Sequence, residues 1–119
     1  MDATNALNWF EISVTDIARA KKFYEEIFSI EMPEQDMMGM KMAYFPADMM
    51  GGKVGGGLVE SPYHKPSADG VKVYLNANPD MEVILAKIDA ARKIPSLFIT
   101  HLYSYTFLLL DKFTITFTP

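Results

Sequence analysis

Leu7-Asn8-Trp9-Phe10-Glu11-Ile12-Ser13-Val14, then Thr15-Asp16, then Ile17-Ala18-Arg19-Ala20-Lys21-Lys22-Phe23-Tyr24-Glu25-Glu26-Ile27-Phe28, is the stretch on which the fold turns. In its first part the side chains alternate. Phe10, Ile12 and Val14 fall on one side and Leu7, Trp9, Glu11 and Ser13 on the other, the period of a strand. The first set is uniformly apolar and is expected to meet a helix. The second mixes bulk with polarity, as the lining of a pocket does. From Ile17 the apolar spacing becomes helical, through Ala20, Tyr24, Ile27 and Phe28, while Arg19, Lys21, Lys22, Glu25 and Glu26 form a solvated face. Asp16 stands where the period changes. Its carboxylate is expected to cap the helix by accepting from free N–H groups of the first turn.

Val14-Thr15-Asp16-Ile17, with Ala20, Phe23-Tyr24 and Ile27-Phe28, resembles the opening of the vicinal-oxygen-chelate superfamily of glyoxalase I, extradiol dioxygenases and bleomycin-resistance proteins. That family has a strand ending in Val-x-Asp-Leu/Ile, then a helix with Phe-Tyr followed by Leu-Gly. Here Phe28-Ser29 stands in place of Leu-Gly, and weaker motifs carry the resemblance to about Arg92. It implies an α+β fold of paired βαβββ modules, in which curved mixed sheets surround a cavity and helices cover the outer faces.

The rest of the chain fits one domain over residues 1–119. Ile30-Glu31-Met32 is expected to form a short strand before a polar break at Pro33-Glu34-Gln35-Asp36, and Met40 to Phe45 a further strand. Val54 to Glu60 reads as a strand despite Gly55-Gly56-Gly57 at its centre. Such glycines mark either sharp curvature or a close approach to the backbone, and curvature is the expectation. Residues 1–61 then make the first module. A loop over Ser61 to Gly70 leads to a second strand at Val71 to Asn76 and a helix opened by Asp80-Met81. Asp16 and Asp80 are matching acids in a repeated strand-acid-helix unit, so residues 71–119 form the second module.

That second module is incomplete or altered after about residue 92. From Leu97 to Pro119 there is no glycine, and Asp111 is the one acid from Ile94 onward. Thr100, Thr106, Thr114, Thr116 and Thr118 among Leu, Phe, Tyr and Ile give high β-propensity, with little turn chemistry. Phe107-Leu108-Leu109-Leu110-Asp111 echoes a Phe-x-Asp strand of the family, without the Gly-Asn turn that follows it. Two readings stand side by side: a diverged module that still supplies strands, or a reading-frame shift near Arg92. An apolar β-prone tail is a liability when exposed, so it is expected to pair with a sheet edge in this chain or a second one.

Composition excludes several functions. A net charge of −4 without long charged runs argues against nucleic acid, which needs a concentrated basic surface. There is no cysteine, hence no disulfide, thiolate site or thiol nucleophile. That is compatible with a cytoplasmic protein, and Met1-Asp2-Ala3-Thr4-Asn5 lacks the basic and apolar regions of a signal peptide. No membrane association is expected.

Metal-dependent relatives resemble one another in placing His or Gln seven residues before the acid. That position is Trp9 in the first half and Val73, or Tyr74 one register on, in the second. None is a ligand for a divalent ion. No metal and no cofactor are expected. His64, in Pro62-Tyr63-His64-Lys65-Pro66, and His101, in the tail, read as solvated or structural imidazoles. Glu11 shares the Trp9 face, either as a cavity acid beneath an aromatic lid or as a strand acid that reaches water. Glu60 reads as a second pocket acid or as the start of a loop. Tyr44, Phe45 and Tyr74 are candidate aromatic walls. Nine methionines, six of them Met37, Met38, Met40, Met42, Met49 and Met50, give an adaptable apolar surface.

The sequence thus reads as a metal-independent protein resembling the glyoxalase and bleomycin-resistance group. It would bind a small apolar or aromatic molecule through Trp9, Glu11, Tyr44, Val73 and Tyr74. The alternative is a lyase- or isomerase-like enzyme with Glu11 as general acid or base. A homodimer is expected, through exchanged modules or tail strands.

Overall fold

Two carboxylates fix where the first helix begins. The computed structural model describes residues 5–66, 73–76, 80–92, 104–109 and 113–118. In it β1 (Trp9–Ser13) leads to α1 (Ile17–Phe28). Asp16 is the N-cap, its Oδ1 accepting from Arg19 N–H at 3.2 Å. The carboxylate of Glu60, distant in sequence, accepts from Ile17 N–H at 3.2 Å. Between them they satisfy amides that the helix itself leaves without partners. α1 buries Ile17, Ala20, Phe23, Tyr24 and Ile27, and ends at Ser29, whose backbone is left-handed with φ 53°.

β2 (Glu34–Met37), β3 (Met40–Tyr44) and β4 (Gly55–Glu60) complete a curved mixed sheet in the order β1-β4-β3-β2. β1 runs parallel to β4, and the other pairs are antiparallel. The expected strand at Ile30–Met32 is absent, and the expected break at Pro33–Asp36 is instead the start of β2. Ile30 to Pro33 runs as a tether that buries Met32 in the core, with Met32 N–H donating to Glu25 Oε2 at 2.8 Å. β2 then pairs with β3 across a two-residue turn, Met38-Gly39, in which both residues have positive φ (54° and 78°). Its polar residues are tolerated because β2 is an edge strand exposed on both faces.

The glycine tract has a different origin from the curvature expected of it. A Cβ on Gly56 would lie 2.4 Å from the Phe10 ring, and one on Gly55 would lie 3.3 Å from the Trp9 indole. A Cβ on Gly57 would lie 2.9 Å from the Ala43 carbonyl oxygen and 3.4 Å from the Tyr44 ring. Consecutive glycines seat successive aromatic rings on alternate faces of the sheet.

The second half contains β5 (Val73–Asn76), α2 (Met81–Arg92), β6 (Ser104–Leu109) and β7 (Phe113–Thr118). Asp80 matches Asp16, its Oδ1 accepting from Glu82 N–H at 3.0 Å. Among the described residues this half forms a three-stranded antiparallel sheet in the order β5-β7-β6. It lacks the parallel pairing that joins β1 to β4, so the second module is incomplete. The tail does pair within the chain, β7 lying along β5. Residues 93–103, with His101, lie outside the described residues.

The halves meet through their helices. α1 packs on β3 and β4, α2 packs on α1 and on β7, and Leu75, Ile84 and Ile88 join the α1 core of Phe23, Ile27, Met32 and Leu58. Full burial of each large side chain there stabilises the fold by about 1.5–3 kcal/mol. The second half therefore lies on the α1 side of the first sheet, and the opposite face of that sheet is turned away from it.

Candidate functional site

The face turned away carries the second residue set of β1. Because β1, β4 and β3 are in register, its side chains fall in rows. Trp9 lies beside Gly55, and Glu11 lies across Gly57 from Tyr44. Ser13, Val59, Met42 and Gln35 make the next row. Beyond them Met40 stands opposite Met37. Trp9 points to this face and not into α1, as the alternation on β1 requires.

Trp9 and Tyr44 form the aromatic part. Each is half-buried, their ring centroids are 6.0 Å apart, and the rings are tilted by 55°. The glycines beneath let both rings lie low on the sheet, so their outer surfaces are presented to the face. Met49 Sδ and Ala47 Cβ also reach the space above Gly55, packing against the same floor as the indole. The Tyr44 hydroxyl donates to Gln35 Oε1 at 2.7 Å and lies 3.7 Å from Met42 Sδ, which fixes the ring. Below the rings Val59 and Met42 are buried.

Glu11 is exposed, standing at the border of this face rather than under an aromatic lid. Val73 packs partly buried against the helix-side core with Leu75. Tyr74, next along β5, points the other way and is 46% exposed. Within one chain the structure thus brings Trp9, Glu11 and Tyr44 together and leaves Val73 and Tyr74 on the other half.

Glu60, expected as a pocket acid or at the start of a loop, ends β4 where the chain enters the Ser61–His64 turn, and its side chain does not face the outer face. It serves the α1 N-terminus through Oε1 and faces Lys41 Nζ at 3.7 Å through Oε2. Sequence reading missed this because the partner amide is 43 residues away. His64 is half-buried, its Nδ1 2.7 Å from Ser61 Oγ in a tight turn. Phe45 packs on Phe10 and Tyr24 on the helix side and is no wall of the outer face. Gln35 and Val59 belong to the face and were not expected there, while Met42, read as part of an adaptable apolar surface, lies on it. Only the strand register, which sequence does not reveal, could have added the first two.

The donor set does not fit a divalent ion. The position that would ligate from β1 is the Trp9 indole. Among the described residues no group of three or more His, Cys, Asp or Glu side chains is arranged to hold a metal. Among them, too, no helix is long and apolar enough to cross a membrane.

A sequence profile described as the Glyoxalase/Bleomycin resistance protein/Dioxygenase superfamily matches residues 6–111. The match runs past Arg92 and ends at Asp111, the acid of the Phe107–Asp111 echo. No curated protein and no solved structure matches the chain. The profile spans both strand-acid-helix units, and the β1-α1-β2-β3-β4 half has the parallel closure expected of a βαβββ module. The chain belongs to the glyoxalase/bleomycin resistance protein/dioxygenase superfamily.

Proposed function

We propose that the protein is a metal-independent binder of a small planar aromatic molecule, which stacks on Trp9 and Tyr44 above the glycine strand. The observation that carries this reading is the pair of rings seated on Gly55 and Gly57, 6.0 Å apart and facing away from the chain's own helices. Large aromatic surfaces bind planar ligands through apolar burial, and a few fixed polar groups set orientation. Glu11, across Gly57 from Tyr44, is such a group. A ligand with a hydrogen-bond donor or a positive charge at its edge matches it. The reading includes a homodimer, because the face is turned from the second half of its own chain; Tyr74 of the partner subunit would supply the opposing wall. It also places the protein in the cytoplasm, with which a cysteine-free chain is compatible.

Trp9 is the chain's single tryptophan, so its emission reports on this face alone. Titration with planar cationic and neutral aromatics is expected to give saturable quenching. Tyr44→Ala should weaken all of them and Glu11→Gln only the cationic ones. An absence of saturable change across the panel, or binding unaltered in Tyr44→Ala, would overturn the assignment.

A further inference from the structure

At the far end of the same face, away from Trp9, β2 and β3 bring three thioethers together. Met37 and Met40 are directly opposed across the hairpin. Met42, two residues along β3 from Met40, lies on the same side. Directly opposed residues have Cβ atoms about 4.5–5.5 Å apart and diagonal neighbours about 7–8 Å. Each sulfur sits on a flexible two-carbon arm, so three sulfurs in this triangle can close on one ion. Their burial is graded: Met42 is 8% exposed, Met40 is half-buried and Met37 is 46% exposed, so the three side chains run from the sheet to the surface.

The hairpin is not built for stability. A two-residue turn with both φ values positive favours Asn-Gly, yet position 38 holds methionine, with φ 54° and its side chain fully exposed. Met37 and Met38 therefore place apolar bulk in water, and Met38 does so at a backbone angle unfavourable to it. The neighbours exclude a hard ion. Asp36 pairs with Lys41 on the other side of the hairpin, and the polar group in the adjacent row is the Gln35 amide, which accepts from Tyr44.

We infer that Met37, Met40 and Met42 form a site for a soft monovalent metal ion of the Cu(I) or Ag(I) type. Thioethers are soft, neutral donors that select such ions over magnesium, calcium or zinc, which require charged or harder ligands. Binding displaces only the 3.7 Å contact between Met42 Sδ and the Tyr44 hydroxyl, which keeps its bond to Gln35. The site shares the Met42–Tyr44 contact with the ligand site proposed at Trp9 but needs no ligand there, and its test uses a different readout.

Silver nitrate in chloride-free buffer is the probe, titrated into the full chain carrying labelled methionine methyl groups. One equivalent is expected to shift the Met37, Met40 and Met42 methyl resonances and leave those of Met38, Met49 and Met50 in place. Met40→Leu should weaken binding by at least about tenfold, the lower bound for losing a supporting group at a metal site. Met37→Leu, on a half-exposed side chain that cannot endanger the fold, should do the same, and Met38→Asn should bind as the parent does. The inference is overturned by no saturable shift, by equal shifts at all exposed methionines, by unchanged affinity in Met37→Leu, or by zinc occupying the same groups.

Discussion

Ser29 ends α1 in a left-handed conformation, φ 53° and ψ 51°, with its N–H returned to Glu25 O. That geometry suits glycine, because a Cβ there crowds the backbone. The Leu-Gly pair of relatives marks the same turn, and the serine departs from it. Ser29→Gly is expected to raise stability by about 0.5–1 kcal/mol, read from the urea midpoint at unchanged slope. The exposed Lys87 Nζ to Ser29 Oγ bond that it removes offsets little of this. A lower midpoint would mean that the hydroxyl matters more than the backbone. Tyr24 gives a second expectation. Enclosed by Phe23, Phe28 and Phe45, its phenol is pushed well above its ordinary value of 10.0 by burial. Above that pH the unfolded chain loses a proton that the folded chain keeps, so the unfolded state binds fewer protons and stability falls as pH rises. The slope from one such group is at most about 1.4 kcal/mol per pH unit. Tyr24→Phe should flatten the alkaline limb of stability against pH by that slope; an unaltered limb would show that the phenol ionises as readily in the folded chain.

α1 was legible in the sequence because everything that makes it is local: the change of period at Ile17, the acid at Asp16 and the polar outer face. β2 was not, because its existence depends on Met38 taking a positive φ, which nothing in Met-Gly announces as Asn-Gly would. The glycine strand shows the same limit. Its position was readable, but the reason for the glycines lies in register, which brings Phe10 opposite Gly56 and Tyr44 opposite Gly57. The site was half legible for that reason too. Alternation on β1 was enough to place Trp9 and Glu11 together, whereas Gln35, Val59 and the role of Glu60 required knowing which strands are neighbours. The register account makes a direct claim about β4. Gly56→Ala puts a methyl 2.4 Å from a ring held between the sheet and Phe45, so the ring must move or the strands separate. The expected cost is about 1–3 kcal/mol, and Phe10→Leu in the same chain should recover part of it. Were curvature alone the reason for the glycine, alanine would be tolerated and the second change would only add damage.

At the scale of the molecule, the decisive fact is that, among the described residues, the two halves meet through their helices. α1 and α2 pack on each other, and Leu75, Ile84 and Ile88 enter the α1 core. Among the described residues the Trp9 face is turned away from the second sheet, although the family's architecture calls for a cavity lined by sheets from two modules. In the proposed homodimer the Trp9 face of one chain would meet the outer face of β5, with Tyr74, of the other, and twofold symmetry would make both cavities equivalent. The exposed Leu7, Met49 and Tyr74 are the apolar area such an interface would cover. Light scattering should give twice 13.4 kDa at micromolar concentration. Complementation then tests the arrangement rather than the mass. Tyr44→Ala and Tyr74→Ala chains should each lose the Trp9 emission response, because every site in either homodimer lacks a wall. Unfolded and refolded together, they form heterodimers in which one site carries both damaged residues and the other neither, so part of the response returns. If each cavity drew both walls from a single chain, every site would keep one damaged residue and mixing would restore nothing.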